Sequence, residues 1–165
     1  MQLTLLEEHI NNNNINEAIE IIETLGKNKN VEAVEFLIQH LTATDNNNLR
    51  NAIAIYLADI GCDKAVEPLV DLLKDPKTEG ARGTIVYSLG YFNCSNHIEQ
   101  LADLLFSCNF EISRQSLMLL ESPVNKIPIE MKQKYIKKVK NRIEDLCDEI
   151  DFFKEALKVL KGKQG

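Results

Sequence analysis

An internal repeat of 32 residues constrains the fold of this chain more than any other feature. The segment 33–37 (AVEFL) returns at 65–69 (AVEPL), and Ile98, Glu99 and Leu101 keep the same frame. Each unit holds two segments in which apolar residues recur at the i, i+3, i+4 and i+7 spacing of an amphipathic helix. A single helical pair of this length cannot bury both of its faces. The sequence therefore predicts an all-α chain whose helical pairs stack into a solenoid.

Turn-forming residues divide the repeats into predicted helices. We expect first helices at 31–43, 64–74 and 97–107, and second helices at 48–60, 79–92 and 111–121. The clear units are 31–62, 63–94 and 95–123. A weaker unit at 1–30 precedes them, because Leu25-Gly26 lies one repeat before Leu57-Ala58. The prediction for residues 1–125 is an α-α superhelix of about three to four helical pairs.

Residues 126–165 depart from the repeat. Their apolar residues are spaced alternately by three and four, which is a heptad seam: Ile136, Val139, Ile143, Leu146, Ile150, Phe153, Leu157 and Leu160. This spacing predicts either one long helix or a helix pair. We interpret the segment as a C-terminal helical cap that shields the last repeat, with a partner-binding coiled coil as the alternative.

Two stretches, LRNAIAIYLADIG (49–61) and GCDKAVEPLVDLLKDP (61–76), resemble the HEAT-like repeats of phycobilin lyase subunits and of many bacterial proteins. The resemblance covers residues 31–121 and implies an α-α superhelix, a fold that serves many tasks. It also implies that a repeated arginine bonds to loop residues within and between repeats. That structural ladder comprises Arg50, Arg82 and Arg114; Asp75 is the expected partner of Arg82, and Asp45 or Asn46 that of Arg50.

Outward-facing positions on the second helices form the candidate binding site. The resemblance implies that these helices line the concave side of the superhelix. A solvent-exposed surface is expected to be polar. Ile55, Tyr87 and Leu119 nevertheless place apolar or aromatic side chains at one repeat position, which indicates a binding patch. The predicted partner-binding residues are Asn51, Ile55, Asp59, Tyr87, Tyr91, Gln115 and Leu119. Two alternatives remain at this point: the C-terminal segment covers this row, or the helix phase is off by one residue.

The distribution of charge favours a protein partner. Residues 1–125 hold 8 Lys/Arg against 18 Asp/Glu, whereas residues 126–165 hold 11 against 7. An acidic body argues against DNA binding, which normally needs a basic surplus, and predicts a basic partner. We interpret the basic run at 132–142 as a solvated helix face rather than an RNA or lipid contact.

Motifs of enzymes are not visible in the sequence. It has no nucleophile elbow, phosphate-binding glycine loop or C-x-x-C pair, so we expect no enzyme, metal or cofactor. Glu35, Glu67 and Glu99 begin successive first helices, where acids stabilise the helix dipole, and His97 is expected to be an exposed helix start. The chain lacks a signal-like start and an apolar run of membrane length, so we expect a cytoplasmic protein without membrane contact.

These patterns predict a non-enzymatic protein–protein interaction module, or scaffold, that binds a partner on its concave face. One version is an immunity or antitoxin-like protein that holds a basic toxin. The alternative, implied by the resemblance, is an enzyme subunit of the chromophore lyase type, which bound pigment in the absorption spectrum would favour. A homodimer through the apolar concave row or the C-terminal helix is a further expectation.

Overall fold

A computed structural model describes residues 2–121, 125 and 127–162, and all regular elements in this part of the chain are helical. The prediction of an all-α fold is confirmed. The α-helices are α1 (Gln2–Asn11), α2 (Ile15–Lys27), α3 (Val34–Ala43), α4 (Asn47–Ile60), α5 (Val66–Leu72), α6 (Gly83–Leu89), α7 (Ile98–Asp103), α8 (Phe110–Glu121) and α9 (Ile129–Lys161). Short 3₁₀ turns at Val31–Ala33, Asp63–Ala65 and Ser95–His97 lead into α3, α5 and α7.

Consecutive helices pack in pairs from α1 with α2 to α7 with α8, and the pairs stack on one another. The second helices of the pairs (α2, α4, α6 and α8) each contact the next, and these contacts are more extensive than those between successive first helices. The second helices therefore form the more closely packed layer. We call it the inner layer, because the sequence predicts that it is the concave one, and we call the layer of first helices the outer layer. The core between the layers consists of fully buried aliphatic side chains, among them Leu37, Leu41, Ile53, Leu57, Leu69, Ile85, Leu89 and Leu101.

Asparagine and aspartate side chains start several of these elements. The side-chain oxygen of Asn46 accepts hydrogen bonds from the backbone N–H groups of Asn48 and Leu49 at 2.9 and 3.1 Å. Asn109 does the same at the start of α8, and Asn30 caps the turn before α3. Each cap satisfies donors that a helix start leaves without intrahelical partners. The abundance of asparagine in the turns therefore has a structural cause.

Helix α6 is shorter than the sequence predicts, because it begins at Gly83 instead of residue 79 and ends at Leu89 instead of residue 92. Asp75 caps a 3₁₀ turn at Pro76–Thr78, and Gly80 follows with a φ of 80°. A left-handed residue interrupts a right-handed helix, and glycine adopts this conformation at little cost. The loop consequently extends to Arg82, which the prediction had placed inside the helix.

Tyr56 ties the first, weaker unit to the second. Its hydroxyl donates a hydrogen bond of 2.5 Å to the carbonyl oxygen of Asn30, and its ring packs beside Gly26, where a Cβ would lie 3.4 Å from the ring. Burial, with a smaller effect of Cys62, raises the pKa of Tyr56 to about 12. The phenol is therefore neutral near pH 7 and stays a donor to Asn30.

The chain divides into two compact units, residues 1–125 and 126–165. The second unit contains α9, a single uninterrupted helix of 33 residues, so the segment is one helix and not two. Its role as a cap stays a prediction. Ser122 and Pro123, which were expected to end the last repeat, lie outside the described residues.

Candidate functional site

Two of the repeated arginines, Arg50 and Arg82, donate hydrogen bonds to the loops that precede them in the chain. Arg50 is buried, and its guanidinium donates hydrogen bonds to the carbonyl oxygen of Thr44 and the side chain of Asn47. Asp45 is exposed and Asn46 is occupied as the cap of α4, which explains why neither of these two expected residues is the partner. The Nε of Arg50 has no hydrogen-bond partner in the described part of the chain. The buried guanidinium thus fixes the loop that precedes α4.

The same arrangement recurs in part at Arg82 and stops at Arg114. Arg82 donates to the carbonyl oxygen of Asp75 and to Oγ1 of Thr78, both at 3.2 Å. The carboxylate of Asp75 instead accepts from the backbone N–H of Lys77. Arg114 is exposed, and no hydrogen bond or ion pair joins it to another described residue. The three arginines therefore differ in surroundings and do not form one continuous anion-binding row.

The acids at the starts of the first helices link neighbouring repeats. Glu35 forms an ion pair with Lys64, and Glu67 pairs with His97, with 3.1 Å between Oε2 and Nε2. The side chain of His97 is only 14% exposed, so the prediction of an exposed helix start was wrong. Both acids are largely exposed, and water screens exposed pairs, so these contacts contribute little to stability. They join neighbouring repeats and need no catalytic role.

The predicted partner-binding residues lie on the second helices or directly after them, and the concave position of this layer stays a prediction. Ile55, Tyr87 and Tyr91 are exposed, at 44%, 51% and 55%, and Asp59 is exposed as well. Asn51, Gln115 and Leu119 are half-buried. We call Asn51, Ile55, Asp59, Tyr87, Tyr91, Gln115 and Leu119 the inner row.

Tyr87 and Tyr91 form a fixed pair at the centre of the inner row. Their hydroxyl oxygens are 2.5 Å apart, their ring centroids are separated by 5.4 Å, and the ring planes meet at 67°. The hydrogen bond between Tyr91 and Tyr87 raises the pKa of Tyr91, with smaller contributions from partial desolvation and from the charges of Tyr87 and Asp59. Asp59 lies on α4 and Tyr91 follows α6, so the stacking of the repeats brings the charge of Asp59 within electrostatic range of Tyr91.

A small cavity continues the inner row towards the first unit. It measures about 210 Å³ and lies between α2 and α4, with Ile22, Glu23, Ile55 and Asp59 in its wall. Lys27 is also in the wall, and its Nζ lies 3.8 Å from the Glu23 carboxylate. The sequence reasoning missed the contribution of α2. The signal that could have found it is Gly26, a small residue placed one repeat before Ala58.

A larger cleft of about 600 Å³ lies on the loop side of the stack, between the second and third clear repeats. Leu73, Arg82, Leu104 and Ile112 are in its wall, together with the exposed Cys108. Sequence reasoning did not predict this cleft. Within the described residues, no group of three or more histidine, cysteine or acidic side chains could hold a metal ion. The cysteines are all unpaired, and burial raises the pKa of Cys94 to about 11.

Leu117 shows where the repeat frame stops predicting burial. It occupies the same repeat position as Ile53 and Ile85, which are fully buried, yet it is 54% exposed. The buried residues of α8 are Ile112, Ser116 and Leu120 instead. The last repeat has no successor among residues 2–121, so a side chain that packs between repeats elsewhere meets solvent here.

Comparison with known proteins agrees with this architecture. A family model described as HEAT repeats matches residues 3–90, from α1 through α6 and just over half of the chain. The match includes the weak first unit. The link to the phycobilin lyase type stays a prediction. A search of curated proteins found no match to the chain. Among the described helices, none combines the length and apolarity needed to cross a membrane.

Proposed function

The chain belongs to the HEAT-repeat family, and from that premise we propose that it is a non-enzymatic module that binds a basic protein on its inner row. Helical repeats of this kind stack into extended concave surfaces, which generally serve protein–protein interaction. The fold is typically non-catalytic. An interaction role is the function that this geometry supports best.

The exposed pair of Tyr87 and Tyr91 is the single observation that carries the proposal. Tyrosine offers a large contact area with few rotatable bonds, so it loses little entropy on binding and is enriched at the energetic centres of interfaces. The hydroxyl–hydroxyl bond of 2.5 Å restricts both rings further before any partner arrives. Ile55 is exposed on the neighbouring repeat, so the patch is apolar and aromatic, whereas a solenoid surface that binds no partner would be polar.

The charges around the patch support a basic partner. Asp59 is exposed, its charge acts on Tyr91, and it makes no ion pair with another described residue. A lysine or arginine of the partner could stack on a tyrosine face and pair with this carboxylate. The surplus of acids in residues 1–125 would speed the encounter and reject acidic competitors. An immunity or antitoxin-like protein that neutralises a basic toxin is one concrete form of this function.

Asp59→Lys tests the electrostatic part of the proposal. In affinity capture from a lysate of the source cell, we expect it to lower the recovery of a specific basic partner by about tenfold, since it puts a like charge against the partner's cation. The matched control is Asp71→Lys, an equal change of charge at an exposed position of α5 in the outer layer, which should leave recovery unchanged. Recovered proteins are quantified by mass spectrometry.

Two results would count against a basic partner on the inner row. Equal losses for Asp59→Lys and Asp71→Lys would mean that total charge matters and position does not. Recovery of an acidic protein that Asp59→Lys binds more tightly would reverse the proposed sign of the interaction. Raising the ionic strength should also weaken capture by the wild type, because salt screens exposed charges.

A further inference from the structure

Helix α9 carries an apolar seam that is exposed in the part of the chain that the structure describes. Its eight heptad residues are exposed by 39–83% of their surface: Ile136, Val139, Ile143, Leu146, Ile150, Phe153, Leu157 and Leu160. From Ile136 to Lys161 every side chain is exposed except that of Ala156. The helix is about 50 Å long, and the seam covers roughly three and a half heptads, enough for a coiled coil. Apolar residues in this arrangement are stabilised when a second helix covers them.

The charges of α9 are separated into two blocks of opposite sign. Residues 130–143 contain six basic residues and one acid, and residues 144–155 contain six acids and one lysine. The basic residues of the first block are Lys132, Lys134, Lys137, Lys138, Lys140 and Arg142. The boundary falls within the seam, between Ile143 and Leu146. Two such helices side by side in parallel would place like charges together, whereas an antiparallel pair places each basic block beside an acidic one.

We propose that α9 pairs with α9 of a second copy of the chain, in antiparallel orientation, around a two-fold axis between residues 144 and 145. In this register Ile143 packs against Leu146 of the second copy, and Val139 packs against Ile150 of the second copy. Ile136 meets Phe153 in the next layer. Six of the eight seam residues thus form layers symmetric about the charge boundary, which is the arrangement a closed dimer requires. Leu157 and Leu160 lie beyond these layers, opposite Lys132 and Ile129 of the second copy.

The flanks of the seam agree with this register. Arg142 and Glu149 lie two turns apart on one flank, with 3.8 Å between Nη1 and Oε1. In the antiparallel pair Arg142 of each copy faces Glu149 of the other, so both charges keep an opposite partner across the interface. The pairing uses a surface separate from the inner row, and the failure of one proposal therefore leaves the other standing.

The mass of the full-length protein in solution tests the pairing first. Light scattering at micromolar concentration should give twice the chain mass of 18.7 kDa. Ile143→Asp should give a monomer, because it buries a charge in the central layer. Asn141→Asp, on the opposite face of α9, should stay dimeric, and circular dichroism should show that both variants remain helical. A wild-type protein that is monomeric at every concentration would overturn the proposal. A dimeric Ile143→Asp variant would overturn it as well.

Disulfide trapping tests the orientation. In a background of Cys108→Ser and Cys147→Ser, Val139→Cys and Ile150→Cys are made in separate proteins with different tags. Oxidation of the mixture should trap a disulfide between the two proteins. Val139→Cys alone should not crosslink, because its two copies would lie about 16 Å apart along the axis, far beyond disulfide reach. A disulfide formed by Val139→Cys alone would indicate a parallel pair and overturn the antiparallel register.

Discussion

Replacing Ile53 by alanine lowers the free energy of unfolding by about 2–5 kcal/mol, the range for deleting a large aliphatic side chain from a packed core. Ile53 is fully buried in α4, which contacts α2, α3 and α6. In a repeat protein each unit is stabilised mainly by its neighbours, so a cavity in α4 weakens both adjoining interfaces. Urea unfolding followed by far-ultraviolet circular dichroism measures the loss.

Leu117→Ala is the matched control for this prediction. Leu117 holds the same position of the repeat frame in α8 but is 54% exposed, so its truncation should change stability by about 1 kcal/mol or less. A clear difference between the two variants would show that burial between repeats stabilises the stack. Equal losses of unfolding free energy in the two variants would contradict the exposure of Leu117 in α8. A negligible loss for Ile53→Ala would contradict the burial of Ile53 in the core.

Replacing Tyr87 by aspartate weakens partner binding at least about 30-fold, which corresponds to the 2 kcal/mol threshold of an interface hot spot. The change removes half of the exposed aromatic pair and the hydrogen bond to Tyr91. It also puts a charge into the part of the interface from which binding removes water, and the cost of desolvating this carboxylate exceeds its attraction to a basic partner. Affinity is measured by titration calorimetry with the partner identified by capture.

Phe110→Asp is the control for that variant. Phe110 is 80% exposed at the start of α8, off the inner row, so the substitution matches the loss of an exposed aromatic ring without touching the patch. We expect wild-type affinity. Tyr87→Phe should lie in between, because it keeps the ring and loses only the hydroxyl. The partner does not bind at Tyr87 if Phe110→Asp binds as weakly as Tyr87→Asp. The same conclusion follows if Tyr87→Asp binds as tightly as the wild type.

The repeat frame predicted the stack of helical pairs because aliphatic periodicity depends on residues close in sequence. Leu37, Leu69 and Leu101 hold one frame position, and all three are fully buried. The frame was less informative about helix ends. Gly80 could have signalled the interruption before α6, but a glycine at the edge of an apolar period is compatible with helix and loop alike.

Features that depend on residues close in space but distant in sequence could not be predicted from the sequence. The burial of Leu117 is decided by whether another repeat follows, and the frame alone does not give this. The proximity of Asp59 to Tyr91 arises from the packing of α4 against α6, far apart in sequence. Likewise, Arg50 bonds to Asn47 and not Asn46, because the local geometry of the cap assigns Asn46 to backbone donors.

Fluorine NMR of the protein labelled with 3-fluorotyrosine distinguishes binding on the inner row from binding elsewhere, because the chain has four tyrosines in distinct places. Tyr56 is buried against Asn30, Tyr135 lies on α9, and Tyr87 and Tyr91 form the exposed pair. On titration with the captured partner, the account predicts that the resonances of Tyr87 and Tyr91 shift while those of Tyr56 and Tyr135 do not. A complex that leaves Tyr87 and Tyr91 unchanged would contradict binding on the inner row.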